Sequence, residues 1–200
     1  MKLFLSILFL IFSLHSWSKA DDISDFEIEG INIGDSLLNY FDRKEIIDGI
    51  NQDYYSDHTV EAGKFIAISF YNHPKFKTYD AMQFTVKKND KKFKTHTVKG
   101  LLWYEKNIKD CHKKMQEIDA EISNIFINLY REENNQKHTG DKSGQSMVKS
   151  INYWFDNNDI IEIDCYDWSD EITKNRNWID HLRIGGKTDE FNQWLIKNQK

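Results

Sequence analysis

The stretch MVKSINYWFDNNDIIEIDCY, residues 147–166, decides the fold. Its two halves, 147–155 and 160–166, alternate apolar and polar residues and are rich in β-branched and aromatic side chains. This pattern is typical of a strand that buries one face. The turn-forming residues Asp156-Asn157-Asn158-Asp159 separate the halves and predict a hairpin. The stretch therefore predicts two neighbouring antiparallel strands.

Further strand signals lie on both sides of this hairpin, at 65–71, 81–87, 93–104 and 182–184. Asn89-Asp90 separates the second of these from the third and is a turn signal of the hairpin type. Phe26–Ile33 alternates as well and predicts a short strand or an extended lead-in. We expect an antiparallel sheet of about six strands, drawn from two β regions.

One long helix is predicted between the two β regions, at about 106–130. Its apolar residues recur at three- and four-residue steps: Ile108, Cys111, Met115, Ile118, Ile122, Ile125, Phe126 and Leu129. Shorter helices are predicted at Gly34-Asp35, from Asp42, and from Thr188 to the end. The fold class is thus α+β, with the sheet covered by a long central helix and terminal helices. Residues 131–146 have no large apolar side chain and predict a long connection.

The first 20 residues have the three parts of a signal peptide. Lys2 precedes an apolar run, 3–14, that is too short for the ~20 residues of a membrane-spanning helix. Ser18 and Ala20 then place small side chains at the positions that signal peptidase needs. We predict cleavage near Ala20, which leaves 21–200 as a single domain that is periplasmic or secreted. A retained amino-terminal anchor is the alternative.

The charge balance argues against two classes of partner. The chain has 27 basic and 32 acidic residues, and loss of Lys2 and Lys19 with the signal peptide would give a net charge of −7. An acidic domain gains nothing from counterion release on a nucleic acid, nor from an anionic membrane surface. No second long apolar segment predicts an integral membrane span after cleavage. None of the asparagines lies in a glycosylation sequon, which favours a bacterial periplasm.

The two cysteines predict a disulfide. Cys111 lies on the apolar stripe of the long helix, and Cys165 is in phase with the inward-facing Ile161 and Ile163. In an exported chain such a pair is typically oxidised. Two inert thiols remain an alternative. Nucleophilic chemistry with the adjacent His112 is disfavoured, because neighbouring helix residues point about 100° apart.

If one region contacts a ligand, we expect it to be the acidic and aromatic segment that follows the second hairpin strand. Carboxylates beside indole rings can bind a sugar, a cation or a peptide. The competing interpretation is that Trp168 and Trp178 are core anchors at the sheet edge. The candidate ligand contacts are Tyr166, Asp167, Trp168, Asp170, Trp178 and His181.

No metal, cofactor or catalytic residue is predicted. The histidines beyond the signal peptide show no helical zinc spacing, and the acidic segment lacks the ligand order and glycine of a calcium loop. Those histidines are His58, His73, His96, His112, His138 and His181.

The opening FEIEGINIGDSLL, residues 26–38, together with the Cys111 helix and the strand end Cys165–Trp168, resembles a group of uncharacterised small exported bacterial proteins. The resemblance implies an exported chain and brings no activity or site residues with it. The Gly-x-x-x-Gly-Asp-Ser at its centre is also similar to small periplasmic lipoprotein-assembly and inhibitor modules, although the lipid-anchor cysteine is missing. That second similarity is a hint about the fold alone.

These features favour a non-catalytic exported binding or interaction module over an enzyme. The alternative is a small periplasmic hydrolase in which His58 or His181 meets an aspartate only in the fold. A cell-envelope assembly factor that binds another envelope protein is a third interpretation. The sequence does not name a partner.

Overall fold

The computed structural model describes residues 22–52 and 63–198. The predicted signal peptide, 1–20, and His58 lie outside these ranges.

Seven strands form one antiparallel sheet, and two very short strands form a separate hairpin. The small hairpin consists of β1 (Glu27–Ile28) and β2 (Ile31–Asn32). The strands of the large sheet are β3 (Phe65–Tyr71), β4 (Ala81–Lys87), β5 (Thr95–Glu105), β6 (Tyr130–Lys137), β7 (Met147–Trp154), β8 (Ile160–Asp167) and β9 (Asp180–Lys187). Their order across the sheet is β3-β4-β5-β9-β8-β7-β6. The predicted α+β class with an antiparallel sheet is confirmed.

The seventh strand corrects the prediction of a loop at 131–146. Tyr130–Lys137 pairs along its whole length with β7 and forms one edge of the sheet. Its sequence, YREENNQK, leaves both faces largely exposed, so it has none of the apolar alternation that marks a half-buried strand. Charged residues of this kind are common on edge strands, where they deter pairing with another chain.

In the described part of the chain, four helices accompany the sheet: α1 (Arg43–Gln52), α2 (Ile108–Ile125), α3 (Asp170–Arg176) and α4 (Asp189–Asn198). On α2 the stripe Cys111, Met115, Ile118 and Ile122 is buried. This helix packs on the centre of the sheet, against β8, β9 and β5. Beside it, α1 packs on β3, and we call the side of the sheet that both helices cover the apolar face.

The carboxy-terminal helix lies on the opposite side of the sheet. Phe191 and Trp194 pack edge-on against Phe65, each with ring centroids 5.3 Å from it. Glu190 fixes the same end through ion pairs to Lys64 and Lys87 of 2.9 and 2.8 Å. The helices therefore cover both faces, and α4 covers only one end of its face.

The alternating segment 26–33, predicted as a short strand or an extended lead-in, folds back on itself as the small hairpin of β1 and β2. The predicted helix at Gly34-Asp35 is a single 3-10 turn, Leu37–Asn39. This amino-terminal segment packs on Gly186, where an added Cβ would lie 2.7 Å from Ile33 Cδ1. Strand β9 runs through Gly186 to Lys187 and is longer than the predicted 182–184. Glycine at 186 leaves room for the segment that packs above it.

The predicted disulfide is confirmed. Cys111 and Cys165 are bonded, with their Cα atoms 6.1 Å apart, and both are buried. The bond joins the middle of the apolar face to the helix that covers it.

None of the helices within the described ranges combines the length and apolarity that a bilayer crossing requires.

Candidate functional site: the polar face of the sheet

The face of the sheet opposite α2 carries charged side chains at its centre, and we call it the polar face. Successive residues of a strand alternate between faces, so the register of the strands fixes which side chains meet. One row across this face runs from Lys99 through Gly185 and Glu162 to Asn152. The charge cluster of this face comprises Lys99, Glu162, Asp164, Arg183 and Lys187.

Two ion pairs hold four members of the charge cluster. Arg183 donates from Nη2 and Nε to Asp164 Oδ2, at 2.7 and 3.1 Å, and the Asp164 side chain is only 5% exposed. Lys187 Nζ donates to Glu162 Oε1 at 2.5 Å. Burial opposes ionisation of Glu162, but Lys187, Arg183 and Lys99 outweigh it and lower the pKa of this carboxyl to about 2. Glu162 is therefore charged, and each of the two carboxyl groups is already paired with a cation.

Lys99 is the fifth member, and it forms no ion pair or hydrogen bond with any residue that the structure describes. Its side chain lies over Gly185, where an added Cβ would be 2.6 Å from Lys99 Cγ. The Nζ atom lies 6.0 Å from the centre of the Phe191 ring. Burial, and then repulsion from Arg183, lower the pKa of this half-buried amine to about 8.

A shallow cavity of about 250 Å³ opens on this face, between the charge cluster and the loop after β6. Its polar lining contains Glu162, Asp164, Arg183, Ser150, Asn152, Gln136, Lys137 and His138. Asn152 Oδ1 is buried and has no hydrogen-bond partner within the described residues. A buried acceptor without a partner costs free energy unless something donates to it.

Aromatic rings close one end of the cavity. Tyr166 stacks on His181 with ring centroids 4.5 Å apart, and the Trp168 ring stacks on Tyr166 at 5.6 Å and lies 6.4 Å from His181. Trp178 and His138 each pack edge-on against Trp168, at 4.5 Å. Trp168 is only 8% exposed, so it supports the end of the cavity and offers little surface to a ligand.

Four of the six predicted ligand contacts thus come together, and two do not. Tyr166, Trp168, Trp178 and His181 form the aromatic end. Asp167 alternates onto the other face of the sheet. Asp170 is exposed at the start of α3, where it pairs with Lys106 at 3.2 Å.

His181 is unsuited to proton transfer near neutral pH. Its Nδ1 lies 2.7 Å from the carbonyl oxygen of Ile179, and burial lowers its pKa to about 4. His138 is the cavity's imidazole, and its Nδ1 accepts a hydrogen bond of 3.0 Å from the Gly140 amide. Within residues 22–52 and 63–198, neither ring is hydrogen-bonded to an aspartate, which is the contact that the hydrolase alternative needs at His181.

A buried serine–aspartate cluster fixes the loop that carries His138. Asp141 Oδ2 accepts hydrogen bonds from the Ser146 amide at 2.9 Å, from Ser146 Oγ at 2.6 Å and from Ser169 Oγ at 3.1 Å. Hydrogen bonds from Ser146 and Ser143 hold the pKa of the Asp141 carboxyl far below its usual range. The cluster joins the 138–146 loop to the start of α3, and so sets one wall of the cavity.

The sequence reasoning missed the charge cluster. Glu162 and Asp164 alternate with Ile161, Ile163 and Cys165, and only the apolar half of that pattern was used. The alternation alone could have placed both carboxylates on one face.

Within residues 22–52 and 63–198, no three His, Cys, Asp or Glu side chains are grouped as a metal site requires. Comparisons with family models, curated proteins and solved structures found no match.

The lowered pKa of Lys99 predicts a pH dependence of stability. The unfolded chain binds a proton at this amine up to about pH 10.5, whereas the folded chain releases it near pH 8. Between these values the unfolded state binds more protons, so stability contributed by this site rises with pH. We expect the wild type to gain stability relative to Lys99→Met between pH 8 and 10, measured by urea unfolding. An unchanged difference across that range would show that Lys99 titrates normally.

Proposed function

We propose that this chain is a non-catalytic exported binding module whose polar face holds a small polar ligand. The observation that carries the proposal is the charge cluster itself, which lies beside an open cavity. The export of the chain is supported by the signal-peptide pattern of residues 1–20 and by the disulfide.

The charge cluster is difficult to explain by stability alone. Removing paired charges from water costs several kcal/mol per ion, and apolar replacements of similar volume are often neutral or stabilising. The Asp164–Arg183 and Glu162–Lys187 pairs lie in the middle of the sheet, and Asp164 and Lys187 are buried. Binding of a polar ligand gives a reason to keep them.

The cavity suits a small ligand. Pockets for drug-sized molecules measure roughly 300–1,000 Å³, and this one is about 250 Å³. Its lining offers both donors and acceptors, such as Arg183 and Asn152, which match a ligand that carries hydroxyl groups. The aromatic end supplies a rigid apolar wall.

The test is native mass spectrometry of the protein recovered from its exporting host, followed by thermal-shift measurements with a panel of small polar molecules. We expect a chain that begins at Asp21 and a melting temperature that rises with at least one compound. The same compound should have little effect on Glu162→Leu/Lys187→Met, which removes one ion pair from the polar face. Lys88→Met is the matched control, because Lys88 is exposed at a hairpin turn. Equal shifts in all three proteins would contradict the proposal.

A further inference from the structure

We propose that Lys99 and Arg183 together bind the carboxylate of a small hydroxylated organic acid. This inference rests on the proposed function and specifies the ligand class for the same face.

The charge cluster has a surplus of one positive charge. It contains three cations, Lys99, Arg183 and Lys187, and two carboxylates, and each carboxylate already has a cation of its own. The whole chain has a net charge of −5, so this local excess is opposite in sign to the molecule. A cation held without a partner in a half-buried position attracts an anion from solution.

The two cations leave donors for such an anion. Arg183 uses Nε and Nη2 on Asp164 Oδ2, whereas Nη1 has no partner within the described residues. Lys99 Nζ has three donors and likewise no acceptor there. Gly185 lies between Lys99 and Glu162 and has no side chain, so the Lys99 side chain lies over it beside Glu162.

The rest of the ligand is defined by Asn152. It stands three strand steps from Lys99, about 14 Å at ~4.8 Å a step. The Lys99 side chain lies over Gly185, which is on the Asn152 side of its own strand. A ligand hydroxyl can donate to the unpartnered Asn152 Oδ1. A carboxylate between Lys99 and Arg183 and a hydroxyl group at Asn152 would therefore place one ligand along this row, with Arg183 and Asn152 lining the cavity.

The experiment compares matched pairs of an acid and its neutral analogue: galacturonate with galactose, and glucuronate with glucose. Inorganic phosphate is added as the alternative source of an anion. Binding is followed by the amide NMR signals of Gly185, Glu162 and Asn152, with sodium chloride balancing ionic strength. We expect each acid to bind at least tenfold more tightly than its analogue. Stronger binding of phosphate than of either acid would overturn the assignment of a carboxylate.

Three variants separate this inference from the proposed function. Lys99→Met should weaken acid binding at least tenfold, Lys99→Arg should restore it to within about threefold, and Lys88→Met should leave it unchanged. If the neutral sugars bind as tightly as the acids, the carboxylate site is wrong and the polar face remains a binding surface. If no compound moves the three amide signals, the sugar-acid assignment fails, and the proposed function is then decided by the thermal-shift panel alone.

Discussion

Replacement of both Cys111 and Cys165 by alanine is expected to lower the free energy of unfolding by on the order of 4 kcal/mol. The bond closes a loop of 54 residues. The chain-entropy model gives about this value for a loop of that length. Both sulfur atoms lie in the core between α2 and β8. Loss of the bond should therefore lower the stability of the whole domain and not only that of a chain terminus.

Urea unfolding followed by tryptophan fluorescence measures the change directly. For a domain of this size, 4 kcal/mol corresponds to a fall in melting temperature of roughly 8–16 °C. A thiol reductant should destabilise the wild type by a similar amount and leave the double variant unaffected, which is the control. Equal stability of the oxidised wild type and the double variant would show that the bond contributes nothing.

Arg183→Met is expected to lower the free energy of unfolding by about 3 kcal/mol or more. The substitution removes the partner of Asp164, whose side chain is almost completely buried. Loss of one partner of a buried ion pair typically costs 3–5 kcal/mol, because the remaining charge is neither hydrated nor paired.

The matched double variant, Asp164→Leu/Arg183→Met, should recover most of that loss, since it leaves no unpaired charge. Urea unfolding of the wild type, both single variants and the double variant forms a complete cycle. If the double variant is as unstable as Arg183→Met, the pair stabilises the fold in its own right. The case for keeping it for ligand binding would then be lost.

The large elements of the fold were predictable because each has a strong periodic signal. Strands β3 and β4 begin and end where predicted, at Phe65–Tyr71 and Ala81–Lys87. Helix α2 was predicted from its apolar stripe, although it ends at Ile125, before the predicted end. Strand β6 was missed because an edge strand exposed on both faces has no periodic signal.

The candidate site was only partly predictable because its residues come from distant parts of the chain. Tyr166 and Trp168 lie on one face by simple alternation, and β9 brings His181 beside them. Lys99 meets Gly185 and Glu162 only through the pairing of β5 with β9, a register that no local pattern specifies. The sequence also predicts a helix from Thr188 to the end, observed as Asp189–Asn198, but does not indicate which face of the sheet it covers.

The order of the strands has a consequence for how the chain folds. Strands β3, β4 and β5 form one meander and β6, β7, β8 and β9 form another, each built from neighbours in sequence. The contact between β5 and β9 joins them and spans about 80 residues, from Thr97–Glu105 to Asp180–Lys187. Bringing β5 and β9 together closes this long segment and so costs the most chain entropy. The connections within each meander are much shorter, including the one that contains α3. We therefore expect the two meanders to form early and their docking, which adds Lys99 to the members of the charge cluster on β8 and β9, to be the slow step.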